Sequence, residues 1–166
     1  MEFKLKPLSP GAVSEALEKA HRYRLLNEPS QAESICLDIL SIDPENQPAL
    51  ITLLLAITDQ FDSDGKPMRA REVLARLATE YDRAYYSGII SERSARVSMR
   101  LGLPGVTFKA YYDFVDAMRC YEKAEALRPA GNDDAILRWN TCARTLMQHN
   151  ELQPERVERM EAILDD

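Results

Sequence analysis

Histidine, glycine and cysteine are scarce in this 166-residue chain. Two histidines provide few candidates for a metal centre or for the base that a nucleophile needs. The six glycines are scattered, so no glycine-rich loop is present to cradle a phosphate. The three cysteines, Cys36, Cys120 and Cys142, fall in helical patterns, and their odd number indicates reduced thiols rather than a disulfide framework. We therefore expect no enzymatic activity and no cofactor.

Long apolar runs are also missing. The longest, from Ala49 to Ile57 with one threonine, is far shorter than the about 20 residues that cross a bilayer. The segment 1–10 lacks the apolar core of a secretory signal. With the reduced thiols, these absences lead us to expect a cytoplasmic protein with no membrane contact. The formal net charge of −6 argues against non-specific binding to nucleic acid.

A recurring helical unit is what the chain does contain. A composition of 45% apolar and 29% charged residues is typical of one folded domain. In two copies of the unit, a small residue, a larger apolar residue, another core position and a proline recur at the same spacing, and a third copy is looser. These positions are Ala32, Cys36, Ile39 and Pro44, then Ala117, Tyr121, Ala124 and Pro129, and more loosely Ala70, Leu74, Leu77 and Asp82.

Helical periodicity and turn signals predict a series of antiparallel helix pairs. Residues 1–8 form an extension, and residues 9–165 form the helical domain. The predicted helices cover 10–27, 29–43, 46–60, 68–81, 83–101, 107–127, 133–149 and 154–163. The helix over 46–60 is apolar on nearly every side, which predicts burial all round. The last helix is strongly charged, as is typical of the polar cap that ends a stack.

A face of small residues distinguishes the helix predicted over 83–101. Small side chains let two helix axes approach closely, so we expect this face to pack against a partner helix. Its members are Gly88, Ser91, Ser94, Ala95 and Ser98.

These patterns resemble the tetratricopeptide repeat, a helix-turn-helix unit with the motif W-x2-L-G-x2-Y … A-x3-F … P. Ala20 and Tyr23 stand at the small and aromatic positions of the first unit. The matching residues of the last unit are Trp139, Cys142, Ala143 and Leu146. The resemblance implies an all-α solenoid of three full repeats and a shortened fourth with a capping helix. Leu54 departs from the motif, which has a small residue there. The other interpretation is an irregular helical bundle, in which the alanines are only good helix formers.

The resemblance also implies a concave groove lined by the first helix of each pair. Carried over position by position, the groove residues are His21, Arg24, Leu55, Arg96, Arg100, Asn140 and Arg144. Four arginines and a histidine on one surface of an acidic protein would attract an acidic segment or a C-terminal carboxylate. The alternative is that these are solvated helix charges, some of them paired with Glu92 or nearby acids.

Other candidate sites are weaker. Glu18 and His21 form one Glu-x2-His motif, whereas a di-iron bundle needs two such motifs and further carboxylates. The segment 62–65 begins like a calcium loop but lacks the later carboxylate. Some tetratricopeptide proteins clamp chaperone C termini with lysine and asparagine, but Leu17 and His21 stand at the corresponding positions. We therefore expect no metal site.

The leading hypothesis for function is a non-catalytic adaptor that binds a peptide or partner protein along the groove. The alternative is a dedicated chaperone like the small acidic tetratricopeptide chaperones of type III secretion, which would hold an apolar client segment near Leu55. An enzyme is disfavoured, because no acid and base are paired. A homodimer is compatible with each of these functions.

Overall fold

The computed structural model describes residues 3–64, 67–101 and 106–154, and the regular structure within these ranges is helical throughout. A short 3-10 turn, Pro10–Ala12, leads into the first α-helix. The α-helices are α1 (Val13–Leu25), α2 (Pro29–Ile42), α3 (Gln47–Asp59), α4 (Phe61–Asp64), α5 (Pro67–Leu74), α6 (Glu80–Leu101), α7 (Val106–Leu127) and α8 (Asp134–Gln148). The predicted all-α class is confirmed.

The longer helices pack mainly against their neighbours in sequence, α1 on α2, α2 on α3, α6 on α7 and α7 on α8. Residues 26–28 alone join α1 to α2, so this pair runs antiparallel. Asn27 makes the turn possible with a φ of 59°, in the left-handed region that asparagine tolerates. Residues 3–8, the described part of the predicted extension, carry no helix or strand, although Leu8 packs on the core.

Apart from the closing Pro44, Pro129 and Asp82, the recurring sequence positions are buried or half-buried in all three copies. Their small residues are fully buried, and so are the core residues that follow in the two closer copies; in the looser copy Leu77 is buried and Leu74 partly so. The fully buried members of the two closer copies are Ala32, Cys36, Ile39, Ala117, Tyr121 and Ala124.

Helix α3 is buried on most of its sides, as its apolar sequence predicts. Its N-terminus is capped by Asn46, whose side-chain oxygen accepts a hydrogen bond from the Ala49 N–H at 3.0 Å. The helix packs on both α2 and α5. Leu54, which departs from the repeat motif, is nevertheless fully buried. This part of the core accommodates a leucine where a small residue was expected.

The close approach expected from the small residues of α6 is found at Gly88. A Cβ atom added at this position would lie 2.5 Å from the Cε1 atom of Tyr121, on α7. Any larger residue at Gly88 therefore requires the buried Tyr121 ring to move. Ala95 is fully buried and Ser98 nearly so on the same helix.

Two predicted boundaries were wrong. The helix predicted over 68–81 ends at Leu74, and α6 starts at Glu80 rather than near Arg83. The reason is a cap: the Thr79 hydroxyl accepts a hydrogen bond from the Asp82 N–H at 2.9 Å and donates one to the Asp82 carboxylate. This exchange starts a new helix after a turn in which Leu77 is buried.

Residues 62–64, predicted to lie in a loop, belong with Phe61 to the short helix α4. At the N-terminus, the predicted helix start at residue 10 is a 3-10 turn, and the α-helix begins at Val13. The predicted capping helix over 154–163 lies outside the described residues, apart from its first residue. The four-residue α4 contains Asp62, which lines a cavity next to the arginines of α6.

Candidate functional site

Four arginines line one open cavity of about 390 Å³ between α1, α3, α4 and α6; we call it the arginine cavity. Three of them lie on α6 at the i, i+3 and i+7 positions that share one helix face. With two aspartates in the same lining, the cavity has a formal excess of two positive charges in a protein of net charge −6. The charged lining residues are Arg24, Arg93, Arg96, Arg100, Asp59 and Asp62.

Asp59, at the end of α3, joins two of the arginines. The Arg24 Nε donates to one carboxylate oxygen at 2.8 Å, and Arg93 Nη1 donates to the other. Arg93 also donates to the Thr58 hydroxyl and to the Leu55 carbonyl, the latter at 3.0 Å. Burial lowers the pKa of Arg93 and the Asp59 carboxylate opposes this effect, so the guanidinium stays charged. Two guanidinium groups thus already converge on one anion.

Arg96 forms a salt bridge with Glu92, a carboxylate that is only 1% exposed. Arg96 donates to Glu92 Oε1 at 2.9 Å, Arg138 of α8 donates to the same oxygen at 3.4 Å, and the Tyr121 hydroxyl of α7 donates to Oε2 at 2.7 Å. The Arg96 guanidinium also lies 5.9 Å from the centroid of the Phe114 ring, within cation–π range. Arg96 is therefore fixed in place by a carboxylate and a ring.

The groups around Glu92 respond electrostatically to its charge. Burial opposes the charged form of Arg138, but Glu92 together with Tyr85 and Tyr121 outweighs this effect and raises the pKa of Arg138. Burial, together with the nearby Glu92 carboxylate, raises the pKa of the Tyr121 phenol. Both shifts favour the protonated donors from which the buried Glu92 carboxylate accepts hydrogen bonds.

Arg100 has the most exposed side chain of the four cavity arginines, each of which forms an ion pair. It pairs with Asp62 of α4, and the two side chains are 64% and 53% exposed. Exposed ion pairs of this kind contribute only ~0–1 kcal/mol, so a ligand can compete with Asp62 for the Arg100 guanidinium. The lining also includes two apolar side chains, the exposed Leu25 and the half-buried Val97.

Of the seven predicted groove residues, Arg24, Arg96 and Arg100 come together in this cavity. All three are paired with acids, as the alternative interpretation expected for some of them. Sequence reasoning missed Arg93, although it lies one turn before Arg96 and Val97 on the same face. It also missed Asp59, because only the packing of α3 against α6 brings that carboxylate to the arginines.

The other four predicted residues lie elsewhere. His21, on α1, shares a hydrogen bond of 2.8 Å with the Thr52 hydroxyl of α3. Leu55 is half-buried and packs against the core of the C-terminal helices. Asn140 and Arg144 lie on α8, one half-buried and the other exposed, and do not line the arginine cavity. The cavity therefore uses only part of the predicted groove.

The cysteines offer little reactivity. Cys36 and Cys142 are buried, and burial raises the pKa of each thiol to about 12. Such thiols stay protonated at neutral pH and are weak nucleophiles. Cys120 is half-buried, with its sulfur 3.5 Å from the Ser87 hydroxyl. Over the described ranges, histidine, cysteine and acidic residues form no group of three or more that could hold a metal ion.

None of the helices in the described ranges is sufficiently long and apolar to cross a membrane. Comparison of the chain with protein-family models, with curated proteins and with solved structures gives no match. The chemistry of the arginine cavity is therefore the guide to function.

Proposed function

We propose that the protein is a non-catalytic adaptor that binds an acidic segment, or a C-terminal carboxylate, of a partner protein in the arginine cavity. The observation that carries this proposal is that four arginines line one open cavity with an excess of positive charge. The planar fork of a guanidinium matches a carboxylate with two parallel hydrogen bonds, which makes arginine well suited to this recognition.

Binding in the cavity is favoured by groups that are already held in place. Asp59 holds Arg24 and Arg93, and Glu92 holds Arg96. A ligand therefore orders few side chains when it binds, and the free-energy cost of association is reduced. Each guanidinium has five N–H donors, so donors remain after these internal contacts are made.

We also propose that the helices are tetratricopeptide-like repeats stacked as a solenoid. The sequential packing of the helices and the burial of equivalent positions in three copies support this arrangement. In such a stack, the arginines of α1 and α6 belong to the first helices of two repeats. The cavity would then be one section of a longer concave surface.

A chaperone for an apolar client segment is the second candidate. The observation in its favour is the pair Leu25 and Leu26, which are 88% and 61% exposed at the end of α1 beside the cavity. Leu55, the residue on which this hypothesis first depended, offers less surface because it is half-buried. Co-purification of an unstable client, lost in Leu25→Ser, would favour the chaperone.

The adaptor can be tested by fluorescence anisotropy with a labelled hexaglutamate peptide and a hexaglutamine control. Arg100→Glu should weaken hexaglutamate binding roughly tenfold, because a repulsive contact replaces an attractive one. Arg144→Glu is the matched control, since it makes the same charge change on α8 outside the cavity, and its affinity should stay close to that of the parent. Far-UV circular dichroism confirms that both variants are folded. Equal losses in both variants, or no binding by the parent, would refute the proposal.

A further inference from the structure

We propose that the ligand favoured by the arginine cavity is a phosphorylated serine or threonine side chain of a partner protein, an inference that rests on the function proposed above. The proposal narrows the ligand from any acidic segment to one that carries a phosphoryl group. Three features of the cavity support it: its charge, the placement of its guanidinium groups and its surroundings.

Charge matching is the first argument. The lining carries four arginines against two aspartates, a formal excess of two positive charges. Glu92, behind Arg96, does not change this balance, because Arg138 pairs with it from the other side. A carboxylate carries one negative charge, whereas a phosphoserine carries about −1.5 to −2 at pH 7. A phosphoryl group therefore neutralises the cavity more completely than a single carboxylate does.

The placement of the guanidinium groups is the second argument. Arg96 and Arg100 are one helical turn apart, so their Cβ atoms are neighbours on the α6 surface. Arg24 and Arg93 already share one carboxylate, which shows that this cavity directs more than one guanidinium at a single anion. A phosphoryl group has three acceptor oxygens, so it can accept hydrogen bonds from two arginines at once.

The surroundings favour a phosphorylated protein segment over a free anion. The cavity of about 390 Å³ is open, and its lining includes the apolar side chains of Leu25, Phe61 and Val97. Leu25 is largely exposed there, and the half-buried Val97 lies in the same lining. These side chains can contact the residues that flank a phosphorylated side chain, whereas inorganic phosphate gains nothing from them.

The test uses three fluorescein-labelled peptides that differ only in a central serine, glutamate or phosphoserine. We expect the phosphoserine peptide to bind the parent protein about tenfold more tightly than the glutamate peptide, and the serine peptide to bind least. Arg100→Gln should remove most of the preference for phosphoserine. Arg100→Lys, which keeps the charge and loses the fork, should remove part of it. Arg144→Gln on α8 is the matched control and should keep the full preference.

The pH dependence gives a readout that simple loss of structure does not reproduce. The second pKa of phosphoserine is about 6, so affinity for this peptide should fall as the pH falls through about 6. Affinity for the glutamate peptide should hold over the same range, because the pKa of glutamate is about 4.3.

The outcomes separate the two proposals. Equal affinity for the glutamate and phosphoserine peptides overturns the phosphoryl preference and leaves the adaptor function standing. No binding of either peptide overturns both proposals. Inorganic phosphate, added at matched ionic strength, should displace the phosphoserine peptide only in large excess. Displacement at concentrations similar to the peptide's own dissociation constant would identify a free anion as the ligand and overturn the inference.

Discussion

The core of helices α1–α5 consists of aliphatic and small side chains with one phenylalanine, Phe61, whereas the core of α6–α8 buries Phe114 and Tyr121, and α6 also buries a carboxylate, Glu92. The buried polar side chains of the first region, Thr52 and Thr58, donate their hydroxyl hydrogens to carbonyls of their own helix. Glu92 of the second region instead depends on Tyr121 and Arg138, which belong to α7 and α8.

This difference shows two ways of fixing the positions of helices. In the first region, shape and volume decide how the helices fit, and nearby apolar substitutions of similar volume are tolerated. In the second, a buried charge needs a complete set of partners, and removing any one of them leaves a polar group unsatisfied. We therefore expect the second region to be more sensitive to changes that keep volume and alter chemistry.

The arginine cavity lies where the two regions meet. Asp59 and Asp62 come from the first region, and Arg93 and Arg100 come from the second. The ion pairs Arg93–Asp59 and Arg100–Asp62 cross the boundary. A ligand in the cavity contacts both regions, so its binding depends on how they are placed relative to each other.

The largest effect should come from removing volume in the first region. Leu54→Ala should lower the free energy of unfolding by about 2–5 kcal/mol, because the fully buried side chain leaves a cavity in the aliphatic core. Leu137→Ala, at a site that is 62% exposed, is the control and should change little. Urea unfolding followed by circular dichroism measures both. Similar midpoints for the two variants would show that α3 is not packed as described.

Tyr121→Phe tests the polar network of the second region while keeping volume nearly constant. It removes the hydroxyl that donates to Glu92 at 2.7 Å, and the loss of a hydrogen bond to a charged group costs about 1.5–3 kcal/mol. Tyr112→Phe, on the exposed face of α7, is the matched control and should be close to neutral. If both variants unfold at the parent's urea midpoint, the proposed contrast between the regions is wrong.

Ala32→Leu and Ala117→Leu make the same change at equivalent positions of the two regions. Both alanines are fully buried, so each leucine should overpack a helix contact and lower stability by about 1–3 kcal/mol. Thermal melts give the comparison directly. Parent-like melting of both variants would mean that neither alanine lies at a helix contact, and the repeat register would have to be abandoned.

Much of the fold could be predicted, because its signals are local. The recurring alanines, the apolar α3 and the small residues of α6 each reflect one helix and its nearest neighbour. The start of α6 could also have been predicted, since Thr79 and Asp82 have capping-box spacing. It was missed because the apolar pattern of the preceding helix continues to Leu77. The boundary between α5 and α6 was predicted wrongly because Leu77, a hydrophobic residue, is buried in the turn between these helices.

The site was predicted only in part, because it depends on packing between helices distant in sequence. Nothing near Asp59 in the sequence indicates that it joins Arg24 and Arg93. Glu92 did leave a signal: it stands between Gly88 and Ala95 on the small face of α6, where a charged residue needs a partner. One partner, Arg96, follows four residues later on the same helix, but Tyr121 and Arg138 come from α7 and α8, and sequence spacing alone does not identify them.

The smallest effect expected is also the most specific, and it concerns the ion pair at the rim of the cavity. Asp62→Asn should leave the urea midpoint almost unchanged, because the Arg100–Asp62 pair is exposed. Affinity for the phosphoserine peptide should rise about two- to fivefold, since the ligand no longer competes with Asp62 for Arg100.

A double-mutant cycle with Arg100→Gln distinguishes this competition from a general change in charge. If Asp62 acts through Arg100, Asp62→Asn should bring little gain in the Arg100→Gln background. The same gain in both backgrounds would mean that Asp62 acts only through the overall field of the cavity. The ion pair between Asp62 and Arg100 would then not compete with the ligand for the Arg100 guanidinium.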